Sequence, residues 1–561
     1  MFLLLSCLLV SARAWASDGV EPLKKLGEIP IQDGGRVMPL EAYAQRLAVD
    51  VTGRSHWSSS GPENFTGRSA TQLMLDCMFK GRSMLGSKVI TIEDKPFKRL
   101  IGVDAERRFF SPAELATTKG LNELLGQFEQ ARAENPQASP TPMQRKALNV
   151  REAANRIANL ADGEMLAVVP GGAGQSYRHA SAAGADAGLE QVQAAWQALG
   201  KAYAADEPIG QAVDGLRQAI AAAGTPTAQE QRAVDLEVFY GRHRPWMNTA
   251  VLYGLAIVLF GLSRLMLKTP LTWLALLCTF GGMAEHVLGV ALRVMILNRA
   301  PVSNTFEALL WMGLVGIIVG LAAQMLNKGR GWYLFAGVAA AMVSVLFAGL
   351  VPLTDRTNSL PAVLRSNFWL IIHVLTIVAS YGVLAVASVL GHAFLIKDVI
   401  LARRSTESSR RSAELVVQTY RTIQVGLILL TAGTILGGVW AAESWGRFWG
   451  WDPKETWALI SILVYFAVLH ARYVRWLKDF GLAAAAVLGL VVIVWTFYGV
   501  NYVMATGLHS YGFGSGGEQW VGLWAVLELI FLVVCWVRYR SLKPAPSADG
   551  STPPAGRAST T

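Results

Sequence analysis

Cysteine is scarce in this chain and badly spaced for thiol chemistry. The 561 residues hold four, Cys7, Cys77, Cys278 and Cys535, with no CxxC pair and no pattern of a disulfide framework. That argues against a thiol–disulfide carrier, and the lack of a CxxCH motif excludes a c-type cytochrome. Charge is scarce too. Charged residues make up 16% of the chain against 52% hydrophobic, too apolar for an ordinary soluble protein of this size. The excess lies beyond residue 245, where runs of about 20 apolar residues recur, each long enough at ~1.5 Å per residue to cross a ~30 Å hydrocarbon core. A net charge of +10 would suit a nucleic-acid binder. The Lys and Arg gather instead in loops on one side of the membrane, so no nucleic-acid partner is expected.

Residues 2–10 form a short apolar run followed by Ala14-Trp15-Ala16, a small-x-small cleavage site. Residues 1–16 therefore read as a signal peptide, with a retained anchor as the alternative because no Lys or Arg precedes the run. Either way residues 17–245 are expected outside the cytoplasm. There, IPIQDGGR at 29–36 predicts a short strand and a tight turn. From 112 to 235, Ala, Gln, Glu and Leu at helical spacing predict helices, interrupted by a Gly/Ala stretch at 171–188. His56 and His179 stand alone and read as surface residues.

The rest parses into nine spans, at 246–266, 271–296, 304–326, 332–353, 368–396, 423–441, 456–476, 480–505 and 519–538. The fold class is thus an all-α polytopic membrane protein preceded by a mostly helical extracytoplasmic domain. Residues 246–541 form the membrane domain, and 542–561 a disordered cytoplasmic tail. Basic connections, above all the 397–421 loop with Lys397, Arg403, Arg404, Arg410, Arg411 and Arg421, fall on one side if the N-terminal domain is outside.

On that map the stretch WAAESWGRFWGWDPKETW, 440–457, sits at the outer end of the sixth span. It holds five Trp (440, 445, 449, 451 and 457) interleaved with Gly446, Gly450, Asp452 and Pro453. An interfacial aromatic belt needs one or two Trp per helix end. A flat aromatic ligand needs more: broad apolar faces, and glycines that let the backbone approach. Two histidines flank this platform on the same side, His373 near the outer end of the fifth span and His509 just beyond the eighth. Imidazole is a common axial ligand of haem iron, and two complete a six-coordinate site.

WGRFWGWDPKETWALI closely resembles the tryptophan-rich "WWD" signature of the haem-handling family. GVNYVMATGLHSYG resembles the segment that follows it in the CcsA/ResC branch, and APVSNTFEALLWM, 300–312, a further signature of that branch. The resemblance covers about 270–540. It implies a cytochrome c biogenesis protein in the inner or cytoplasmic membrane, part of a system II holocytochrome c synthase. Such a protein brings haem b to the outer surface and joins its vinyl groups to the cysteines of a CxxCH apocytochrome c. His373 and His509 match the family's external axial ligands, and His470 its histidine within the membrane. A CcsB/ResB-like partner is implied as the source of the second internal ligand, with thiol-reducing proteins serving the apocytochrome. IPIQDGGRVMPLEAYA, 29–44, is also similar to outer domains attached to CcsA in some fused proteins.

By helical rise His470 lies ~20 Å and His286 ~15 Å below the outer surface. Ionisable residues at such depth face the protein interior and mark a pathway or ligand, so both are candidate ligands for haem in transit, with a hydrogen-bonded packing residue as the alternative for His286. His392, near the cytoplasmic end of its span, reads as structural. The platform candidates are Trp440, Trp445, Trp449, Trp451, Asp452 and Trp457, and Arg447 and Lys454 are candidate partners of the propionates. No residue reads as a nucleophile or general base. Two further readings are a haem exporter or chaperone without ligase activity, and a bis-His membrane redox protein, which the Trp loop disfavours.

Overall fold

In lipid a backbone has no water to satisfy its N–H and C=O groups, and a helix satisfies them within one segment. Among the described residues each of the nine apolar runs is accordingly built on a helix. The structure is a computed structural model that describes residues 21–53, 67–136, 140–163, 166–172, 175–179, 187–263, 268–329, 331–350, 368–401, 406–504 and 517–542. The signal-peptide reading, the tail beyond 542, His56 and His509 fall outside the described residues. Among those described, eight helices are long and apolar enough to cross a membrane, joined by a shorter apolar helix at Tyr333–Gly349. This is the all-α polytopic architecture expected. Six-residue and ten-residue π-helical stretches, Leu395–Ile400 and Trp495–Met504, continue the fifth and eighth helices.

The basic segment 397–421 is not the loop expected. The sixth membrane helix starts at Thr406 and runs 40 residues to Trp445. Leu415, Val416, Thr419 and Ile423 are all buried, at spacings that share one helical face. That face continues into the core, so the charged residues extend the helix rather than end it.

Contacts divide the chain into two compact units. One comprises Met1–Trp311, Ser344–Ile371 and Gly512–Gly516. After a helix at Glu21–Gly27, the predicted strand and tight turn form one arm and the bend of a hairpin, β1 (Pro30–Asp33) and β2 (Arg36–Pro39), in which Ile31 pairs with Met38. Gly34 and Gly35, at φ of +57° and +76°, supply the two left-handed positions that a two-residue hairpin turn requires. β3 (Ile90–Thr91) and β4 (Phe109–Phe110) pair separately. β5 (Ala167–Val169) and β6 (Arg178–His179) complete a sheet of order β2-β1-β5-β6. Helices pack Leu47, Met74, Ile157 and Trp196 into a core with Ile31 and Val168. Reciprocal caps at Ser69/Gln72, Thr141/Gln144 and Thr227/Glu230 set three helix starts.

The other unit comprises Met312–Val343, Ile372–Tyr511 and Gly517–Thr561. Its helices meet at backbone distance. A Cβ on Gly337 would lie 2.8 Å from the Gly316 carbonyl oxygen, and one on Gly391 2.7 Å from that of Ala483. Helices in lipid associate through such close packing because no hydrophobic effect draws them together. Tyr381, Leu384, Leu390, Leu430, Tyr465 and Ala486 share the core, while Ile428, Leu463 and Val533 are exposed, as a lipid-facing surface requires.

Candidate functional site

The Trp-rich stretch folds as a helix end, a short loop and a helix start. Thr406–Trp445 stops where Gly446 takes a φ of +70° and its N–H bonds to Ala442 O at 3.0 Å, a left-handed cap that glycine adopts without strain. Asp452 restarts the chain as a cap whose side chain accepts from Lys454 N at 2.9 Å, with Pro453 in the first turn. Between them Trp451 is 70% exposed at a φ of +58°, a conformation that costs a non-glycine residue about 1–2 kcal/mol. Its neighbours hold it there. The N–H groups of Gly450 and Asp452 donate to the same Glu455 Oε2, at 2.7 and 3.2 Å. Arg447 Nη1 lies 3.5 Å from Glu455 Oε1.

The tryptophans do not share one plane. Trp440 is buried and meets Trp445 at 4.6 Å between ring centres and 65° between planes. Trp449 and Trp451 stand at 5.9 Å and 87°, and Trp457 packs on Trp495 at 5.8 Å. Trp440 is thus packed in the core, apart from the exposed part of the loop. The exposed apolar surface of the loop belongs to Trp451 and to Phe448. Both candidate propionate partners are engaged within the protein: Arg447 with Glu455 and over the Trp445 ring at 5.8 Å, and Lys454 with Asn501 Oδ1 at 2.7 Å.

His373 lies near the start of Phe368–Phe394, with Nδ1 2.7 Å from Gly433 O. A carbonyl only accepts, so Nδ1 carries the ring proton and Nε2 keeps the lone pair that a metal takes. The ring rests against Gly437, where a Cβ would come 2.7 Å from Cε1. Gly433 and Gly437 sit four apart on one helical face, one supplying an acceptor and the other room. Neither glycine, nor Glu455, was singled out from the sequence. Their signals were the Gly-x-x-x-Gly spacing of GTILG and the D-x-x-E capping box of DPKE.

The two internal histidines differ from expectation and from each other. His286 is buried, with Nε2 2.9 Å from Leu310 O and Nδ1 3.2 Å from Tyr253 Oη. Leu310 accepts from Nε2–H, and Tyr253 donates to Nδ1. With both nitrogens occupied, His286 has the geometry of the hydrogen-bonded packing residue that was the alternative to a ligand. His470, expected to face inward, is exposed one turn from the end of Pro453–Tyr473, with Nδ1 bonded to Phe466 O at 2.8 Å. Its helix turns the Tyr465 face to the core and leaves Leu463, Phe466 and His470 outside.

The 300–312 signature builds a helix start around a buried ion pair. Glu307 accepts from Arg293 Nη2 and from Ser303 N–H, at 2.8 and 2.9 Å, and Asn304 Oδ1 accepts from Glu307 N–H at 2.8 Å. Removing one partner of such a buried pair costs about 3–5 kcal/mol.

These arrangements occur in a stretch shared with known proteins. A family model described as cytochrome C assembly protein matches residues 302–509, from this ion pair through the Trp loop to His509. The cytochrome c biogenesis protein CcsA of Gloeobacter violaceus is 33% identical over 339 residues, covering 48% of this chain and 100% of that protein. This chain belongs to the CcsA family. The CcsA of Parasynechococcus marenigrum is 37% identical over 247 residues, 38% of this chain and 79% of its own length. Protein NrfI of Wolinella succinogenes is 28% identical over 513 residues, 88% of this chain. The chain spans 55% of that longer relative. As a multi-span member of the CcsA family, the protein acts in cytochrome c maturation.

Proposed function

We propose that the chain binds haem b non-covalently at the outer membrane face and presents it for thioether attachment to the CxxCH cysteines of an apocytochrome c. His373 and His509 are the axial ligands, and Trp445, Trp449, Trp451, Asp452 and Trp457 shape the seat. The observation that carries this reading is the His373 ring, held by the Gly433 carbonyl with its proton on Nδ1, the tautomer in which Nε2 is the coordinating nitrogen. Haem brings the two vinyl groups that the cysteine thiols join. The residues of this chain hold and orient it, so catalysis is chiefly positioning. Arg447 pairs with a propionate by exchanging Glu455 for it, and Lys454 reinforces the same side of the seat.

On this reading residues 17–245 and the Trp loop are extracytoplasmic, residues 246–541 form the haem-handling membrane domain, and the C-terminus is cytoplasmic. The exposure of His470 supports an internal haem site shared with a ResB-like partner, which supplies the second ligand. Thiol-reducing proteins keep the apocytochrome cysteines available. The test is the spectrum of the purified protein, which should be that of low-spin, bis-imidazole b-type haem. His373→Gly or His509→Gly should lose it, and added imidazole should restore it. An unchanged spectrum in both variants refutes the assignment.

A further inference from the structure

His392 and Glu528 meet inside the membrane-spanning part of the chain, and nothing in the haem reading uses them. His392 lies on Phe368–Phe394, and Glu528 ten residues into Glu518–Ser541, the last apolar helix. His392 Nδ1 is 2.9 Å from Ser388 O, and Nε2 is 2.9 Å from Glu528 Oε2. Phe531 stacks on the imidazole at 5.1 Å and 20°. One turn away, Ser388 Oγ is buried with no hydrogen-bond partner among the described residues.

Hydrogen bonding counts the protons here. The Ser388 carbonyl only accepts, so Nδ1 must carry a hydrogen. A neutral imidazole protonated at Nδ1 then has a lone pair on Nε2, and an ionised carboxylate offers only lone pairs. Two lone pairs do not make a bond at 2.9 Å. One further proton must lie between them, on Nε2 as imidazolium facing carboxylate, or on Glu528 as a carboxylic acid donating to neutral imidazole. Both forms are neutral overall. Losing that proton would leave a net negative charge at membrane depth, where ionised groups are expensive.

We propose that His392 and Glu528, with the Ser388 hydroxyl beside them, form an intramembrane proton-binding site that holds one proton and clasps the last helix to its unit. Beyond the pair, that helix is held by Phe531, Leu532 and Tyr539, which pack partly buried against the core. Cys535 is its buried residue, and Leu523, Val526, Ile530, Val533 and Val537 are exposed. The other charged groups on the last helix and on the elements packed against it are Lys397, Asp398, Asp479, Glu518, Arg538 and Arg540, and the sixth helix, packed on the His392 helix, adds Glu414, Arg421 and Glu443 among its described side chains. Lys397 and Asp398 meet through Ser412, and Asp479 pairs with Arg472. The proton therefore belongs to the pair. The site is independent of haem, and a protein that binds none would still have it.

The test uses the full chain in lipid nanodiscs, without haem. Infrared difference spectra, assigned with Glu528→Gln, report a protonated Glu528. Nitrogen NMR of histidine-labelled protein, assigned with His392→Gln, reports a His392 imidazolium. One of the two signatures is expected. An ionised Glu528 beside a neutral His392 overturns the proposal. The clasp is read with a cysteine pair, Phe480→Cys and Tyr539→Cys, whose native rings stack at 4.4 Å. Disulfide yield should fall about tenfold or more in His392→Leu or Glu528→Leu, and recover in the double Leu variant, because one orphaned partner costs more than none. Glu528→Gln, which keeps a hydrogen bond but holds no acid proton, should retain the disulfide and lose the proton signature. Unchanged yield in the single Leu variants overturns the clasp.

Discussion

Replacing Gly437 by alanine adds one methyl group, and it lands on the His373 ring. The new Cβ would stand 2.7 Å from Cε1, 2.9 Å from Nδ1 and 3.2 Å from Nε2. Carbon contacts settle near 3.5–4.0 Å, so the ring must withdraw by about 1 Å. That lengthens the 2.7 Å bond to Gly433 O to about 3.6 Å, beyond a hydrogen bond, and releases about 0.5–1.5 kcal/mol of anchoring. Folding loses little, because alanine is better than glycine in a helix by about 0.5–1 kcal/mol. The expected result is a protein that folds and melts much as the parent does but binds haem about two- to tenfold more weakly, as the lost anchoring implies. Haem per folded protein and the low-spin absorbance measure it, and imidazole should restore the spectrum as in His373→Gly. Parental haem content and spectrum in Gly437→Ala would refute the placement of His373 as a ligand.

Three other outcomes follow from the geometry. Glu455→Ala removes both hydrogen bonds that flank Trp451 and lets its φ of +58° relax, so haem titration should show weaker binding, with Glu455→Gln intermediate; parental affinity in both would contradict the pinning role. Single cysteines at Glu443 and Ser541, both exposed, in a background without native cysteines, should label from opposite sides of the membrane, and labelling from one side would overturn the orientation. Burial pushes the Glu28 pKa up, but hydrogen bonds and charge from Arg242 and Arg217 outweigh it and hold the value below the usual range. A depressed folded pKa stabilises above the unfolded value of about 4.3 and is lost as pH falls through the folded one. Glu28→Gln should therefore flatten the acid limb of the thermal-stability profile, and an identical limb would argue against the pairing.

The spans were legible because lipid imposes one rule, long apolar runs made helical, and that rule acts on the sequence locally. The turn at Gly34-Gly35 was legible for the same reason: two adjacent glycines permit a turn that other residues resist. The sixth helix was misread at its start because charge marks a membrane boundary but does not end a helix. Depth along a helix could be counted, and direction around it could not. Counted along the sequence His286 and His470 come out at similar depths, yet one is buried between Tyr253 and Leu310 while the other is exposed on its helix. Trp440 looked like its four neighbours until packing separated it from Trp451. Gly433, Gly437 and Glu455 act through partners between 3 and 64 residues away in sequence, and only the folded chain brings these together.

The central claim is that this membrane protein presents haem to an apocytochrome, and covalent haem is its most direct readout. The chain should be co-expressed with a CxxCH apocytochrome and a ResB-like partner in a host lacking its own maturation system. The account predicts thioether-linked haem on the apocytochrome, reduced to background by His373→Gly and raised again by imidazole in the medium. Haem release without any thioether product, in the presence of the partner, would contradict it and make the protein an exporter or chaperone instead.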